Sequence, residues 1–178
     1  MKEIIQIPQL HLYIINRVRY IRLELGLSQR DVSRILYPES SSNLLGGIEG
    51  SARPNSYTDE NLNKLAKAFT EISKQQGNYM EYTMKDFYPP EPLPEKMVKK
   101  EVIEIPEYLG PTGILNVLLE KGDAFFNDWH SVKEITEYCN RYAIQNWRTS
   151  HFTAIIARAE ERKKLIRLSE NEALYKKL

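Results

Sequence analysis

Leu10, Ile14, Val18, Ile21 and Leu25 recur at steps of three and four residues, the spacing that lines one face of an α-helix. The pattern predicts a first helix that Gly26 stops. Ser28 then caps a second helix, and Asp31 three residues on completes a capping-box pattern. Val32, Ile35 and Leu36 supply its apolar face, and Tyr37-Pro38 closes it, because a residue before proline avoids the helical region. A third, short apolar helix is predicted to begin within residues 40–43 and to end by Gly50. Beyond the loop ARPNSY, Thr58 caps a fourth helix, with Asp59 and Glu60 suited to its dipole and Leu62, Leu65, Ala66 and Phe69 as its stripe. A last helical turn is expected over 84–88.

The pattern then breaks. PPEPLP at 89–94 cannot continue a helix and favours an extended, semi-stiff connector, and the region from Val102 to Ile105 permits a short strand. A linker is placed at 89–106, between a domain at 1–88 and another at 107–178. Downstream, Pro111 suits the first turn of a helix running to about Lys121. Ser131 and Glu134 form a second capping box, opening a helix to about Arg141. Thr149 or Ser150 opens a longer one with Phe152, Ile155, Ile156 and Ala159 inside. KLIRLS and ALYKKL, either side of ENE, read as a terminal hairpin.

Composition adds little until charge is read locally. At 42% hydrophobic and 28% charged, the 178 residues are ordinary for a globular protein. The net charge of +1 hides arginines at 17, 19, 22, 30 and 34, an acidic excess over 91–147 and a basic excess over 148–178. Any footprint for a polyanion is therefore local. A single cysteine, Cys139, rules out an intrachain disulfide framework and fits a reducing cytoplasm, its apolar neighbourhood pointing to packing. MKEIIQIPQL does not read as a signal peptide, and no apolar run approaches the roughly 20 residues that span a bilayer. A cytoplasmic location and no membrane contact are expected.

Helix, helix, turn and short third helix is the helix-turn-helix order. The stretch IRLELGLSQRDVSRIL, then SSNLLGGIEG, then ENLNKLAKAF resembles the lambda-repressor-like helix-turn-helix domains of the Xre/Cro type, over about residues 10–88. The resemblance implies a DNA-binding helical bundle. It matches Gln29 to a glutamine that hydrogen-bonds a DNA phosphate at a helix start, and Arg22 and Glu49 to a buried structural ion pair. Arg19, Arg30 and Arg34 are further phosphate candidates, equally readable as solvated charges. The third helix is expected in the major groove, presenting Ser42, Asn43, Leu44 and Gly47 toward base edges. Asn43 suits a bidentate contact to adenine and Leu44 a thymine methyl, while Leu45 reads as core. Two adjacent glycines, Gly46 and Gly47, are costly in a helix. They read either as room for helix packing alone, or as packing by one and close approach to DNA by the other. The YPESS turn is about two residues longer than in compact members of the family, which bears on the register at Ser42 and Asn43.

Residues 107–178 resemble a winged helix in layout, without a diagnostic motif. That layout implies a possible second DNA site at Arg148, Ser150, His151 and Arg158, against which stand the acidic tip at Glu170 and Glu172 and the neighbouring Glu160 and Glu161. The competing role is contact with a protein partner or self-association. His11, His130 and His151 are scattered without metal-ligand spacing, no phosphate-binding glycine loop follows a strand, and neither catalysis, metal nor cofactor is expected. The fold class expected is mainly α: an N-terminal lambda-repressor-like bundle and a C-terminal winged-helix-like domain with a terminal β-hairpin. The function expected is a sequence-specific transcriptional regulator on double-stranded DNA, acting as a homodimer. An antitoxin-like or scaffolding interaction module and a non-specific architectural nucleic-acid binder are the alternatives.

Overall fold

Gly26, at a left-handed φ of 67°, ends the first helix and turns the chain into the second. The computed structural model describes residues 4–40 and 44–178, mainly helical with small antiparallel sheets. The chain divides into two compact units, Met1–Glu104 and Ile105–Leu178. In the first, α1 spans Gln9–Glu24 and α2 spans Gln29–Leu36. The predicted capping box forms: the Asp31 N–H donates to Ser28 Oγ at 3.1 Å and the Ser28 N–H to Asp31 Oδ2 at 2.8 Å. α3 is a single turn, Leu45–Glu49, and α4 runs Asp59–Gln75 behind Thr58, whose capping partner is Asn61. A 3₁₀ turn follows at Met84–Phe87. Ile14, Val18, Ile21, Val32, Leu45, Leu62, Leu65 and Phe69 meet in one core, closed by Phe87 edge-on to Phe69. Leu10, placed on the buried stripe from its spacing, is instead exposed, lining an open cleft of about 690 Å³ with Tyr88, Leu93 and Met97.

The segment expected to be a free linker belongs to the first unit. β1, Gln6–Pro8, pairs antiparallel with β2, Met97–Lys99, placing Ile7 opposite Val98. The Lys100 N–H donates to the Ile5 carbonyl and the Ile103 N–H to Asn16 Oδ1 on α1. The strand thus falls before Val102 rather than after it, where it pairs with the short stretch ahead of α1. The proline run still breaks the helix, but it bends back on the bundle instead of leading away.

In the second unit, α5 spans Pro111–Lys121 with proline in its first turn and Gly122 left-handed at its end. A 3₁₀ turn at Ala124–Asn127 leads to β3, His130–Ser131, which the sequence pattern does not reveal. α6, Val132–Asn140, follows the Ser131–Glu134 capping box, and α7 spans Thr149–Glu161. β4, Leu165–Arg167, and β5, Leu174–Lys177, make the expected hairpin, and β3 pairs with β5 on its other edge. Ile114, Leu118, Phe126, Ile135, Cys139, Phe152, Ile156 and Leu165 are among its buried residues.

Candidate nucleic-acid interface

Glu49, the last residue of α3, lies buried among donors from α1 and α2. Arg22 donates from Nε to Oε1 at 2.7 Å and from Nη2 to Oε2 at 2.5 Å, and its Nη1 donates to the Leu27 carbonyl at 3.0 Å. Both side chains are fully removed from solvent. Gln29, at the start of α2, adds a 3.2 Å bond from its amide to Oε2. The carboxylate therefore ties the C-terminal end of α3 to the turn between α1 and α2. Tyr57 is buried nearby, and its phenol titrates well above its ordinary range, first through burial and then through the charge of Glu49.

Arg19 departs from its expected phosphate role. It is buried, with Nη1 on Glu49 Oε2 at 3.0 Å, Nε on the Ile103 carbonyl at 3.0 Å and Nη2 on the Glu104 carbonyl at 2.8 Å. Its fork is occupied by the strand-bearing segment folded over α1, which leaves it no geometry for DNA. Arg30 and Arg34 are exposed on α2, as a phosphate contact requires. Gln29 is half-buried with its amide turned to Glu49. Ser42 and Asn43 lie outside the described residues, whereas Leu44 is exposed immediately ahead of α3. Leu45 is fully buried, its N–H donating to Ser33 Oγ on α2 at 3.0 Å.

Gly47 and Gly50 differ in the space around them. A Cβ on Gly47 would sit 3.8 Å from Arg53 Cδ and 3.8 Å from Asn55 Nδ2, ordinary contact with two side chains of the following loop. Gly47 thus faces that loop. The steric demand falls on Gly50, where a Cβ would lie 2.5 Å from the Gly46 carbonyl oxygen. Gly46, Gly47, Ala52 and Arg53 border a small cleft of about 290 Å³.

Two residues of this region escape sequence reasoning. Arg53 is exposed on the loop after α3, beside the arginines of α2 in charge type but not in any periodic pattern. Lys100 is buried, its ammonium donating to the carbonyls of Gly47 at 3.4 Å, Arg53 at 2.7 Å and Asn55 at 2.9 Å. Desolvation lowers its pKa. The only sequence signal for Arg53 is an arginine among small and turn-forming residues, and Lys100 carries none.

In the second unit, Arg148, Ser150 and His151 are exposed around the start of α7, and Arg158 is half-buried. His151 is partly committed: its Nδ1 accepts the Arg148 N–H at 3.0 Å, closing the helix start. Glu170 and Glu172 are exposed at the hairpin tip, as expected. Phe125 stacks between His130 and Tyr138, with ring centroids 3.7 and 3.9 Å away, and Tyr142 and Ile144 are exposed beyond them. No family model, curated protein or solved structure matches the chain. Among the described residues no group of three or more His, Cys, Asp or Glu is gathered to hold a metal, and no helix is long and apolar enough to cross a membrane.

Proposed function

We propose that this protein is a sequence-specific DNA-binding regulator whose first unit is a lambda-repressor-like helix-turn-helix bundle. The carrying observation is the Arg22–Glu49 pair, which fastens the end of α3 to α1 as the resemblance implies; Gln29, which the resemblance matches to a phosphate contact, turns its amide to Glu49 here. That fastening leaves the leading end of the third helix, at Leu44, on the surface. Arg30 and Arg34 on α2 and Arg53 on the loop after α3 are exposed and supply positive charge. Asn43 and Leu44 read bases, and a homodimer would set two such helices about 34 Å apart on half-sites of a palindrome.

The second unit supports a winged-helix reading, since β3 lies between its first two helices and joins the terminal hairpin through β5. Its acidic hairpin tip and its exposed Tyr142 and Ile144 favour contact with protein, including a second copy, over a second DNA site. Selection of bound sites from random duplexes tests the whole reading. Enrichment of a palindromic site supports it, with Asn43→Ala relaxing one base position. Arg34→Gln should weaken all sites alike and reduce the salt slope by about one. Indifference to every duplex would remove the proposal.

A further inference from the structure

Lys100 occupies an expensive place. The residue is 1% exposed, and burying a cation is unfavourable unless its donors are satisfied. Here its bonds go to Gly47, Arg53 and Asn55, whose carbonyls belong to the end of α3 and the loop that follows. Pro54 stands between the last two and has no N–H. A cation is also favoured where the carbonyls of a helix end converge. For stability alone an apolar side chain of similar length would serve as well or better. What the lysine adds is direction. It fixes the Arg53 backbone, and with it the side chain lying over Gly47.

We propose that Lys100 is a positioning residue for DNA contact, holding the end of α3 and the Arg53 loop in register with the duplex while touching no DNA itself. The proposal rests on the DNA-binding reading above. It makes the strand-bearing segment after the proline run a working part of the DNA-contacting half.

The test measures affinity of the full chain for a site-selected duplex and a random duplex of equal length across a salt series. Lys100→Met should bind about tenfold more weakly with an unchanged salt slope, because no phosphate contact is removed. Arg53→Ala should lower the slope by about one. The double variant should bind no worse than the weaker single variant, since Lys100 acts through the Arg53 loop. Wild-type affinity in Lys100→Met, a slope reduced by one in that variant, or additive losses would each overturn the proposal. Should circular dichroism show Lys100→Met unfolded, Lys100→Gln carries the same comparisons, and unfolding of both would make the role one of stability and overturn it. A wild-type chain that binds neither duplex overturns the DNA reading and this proposal together. Wild-type binding with an unaffected Lys100→Met removes this proposal alone.

Discussion

Glu49 accepts from both Arg19 and Arg22, so the consequence of losing it is set by what it leaves behind. Glu49→Gln strands two buried guanidiniums and should cost about 3–5 kcal/mol, read as a lower midpoint in urea unfolding of the first unit. Replacing Arg19, Arg22 and Glu49 together by apolar residues of similar size should cost much less, because no charge of the cluster is then left buried without its counterpart. Cys139 sets a different prediction. Burial, reinforced by Asp123, pushes its thiol up to about 12 from an ordinary 9.0. Between those values the unfolded chain has released the proton and the folded chain retains it. Its contribution is therefore complete below about pH 9 and declines as pH rises, by at most about 1.4 kcal/mol per pH unit. Denaturation at a series of pH values should show a shallower alkaline decline for Cys139→Ala than for wild type. At neutral pH the same burial should limit thiol reagents to the rate at which the second unit opens. Arg19 and Lys100 show what residue type conceals: both residue types are usually solvated, and only the folded chain brings the carbonyls of 103–104 and of 47, 53 and 55 to them.

At the scale of elements, the helices announced themselves because their determinants are local. Ser28, Thr58 and Ser131 each cap where their spacing to a third-position partner requires, and the stripe of α4 is buried as its period demands. Of the strands, the terminal hairpin was marked by its turn, whereas β1, β2 and β3 were not, because β3 has two residues and β1 and β2 three, too few to display an alternation. Their existence depends on partners far along the chain. The single turn of α3 carries the sharpest test at this scale. Gly47→Ala meets only ordinary contacts and removes a helix glycine, so it should stabilise the first unit by about 0.5–1 kcal/mol. Gly50→Ala drives a methyl onto the Gly46 carbonyl and should destabilise by about 1–3 kcal/mol. Thermal melts of the two variants should move in opposite directions. A pair that moved together would mean that the contacts of this turn, rather than its backbone, govern its glycines.

For the molecule as a whole, the boundary between units decides which pieces can stand alone. The natural cut suggested by PPEPLP is at residue 88, but the first unit extends to Glu104. A fragment ending at 88 lacks β2, so Ile7 loses its cover across the ladder. It also deprives Arg19 of two carbonyl acceptors and the 53–55 loop of the Lys100 ammonium. Exposing an isoleucine costs about 1.5–3 kcal/mol, and stripping a buried guanidinium of acceptors costs about 1.5–3 more. Their sum is a large part of the 5–15 kcal/mol that holds a typical domain together. A fragment of residues 1–104 should therefore unfold in one cooperative transition at close to the stability of the first unit in the full chain. The 1–88 fragment should melt far lower or remain partly unfolded. The comparison also bears on DNA contact, because Leu44, Arg53 and the end of α3 are present in both fragments and only their support differs. If 1–88 were as stable as 1–104, the segment beyond the prolines would be an ornament on the bundle. If it were folded but weaker on DNA, the same segment would be acting on the proposed reading end, and Lys100→Met in 1–104 would show how much of that passes through Lys100.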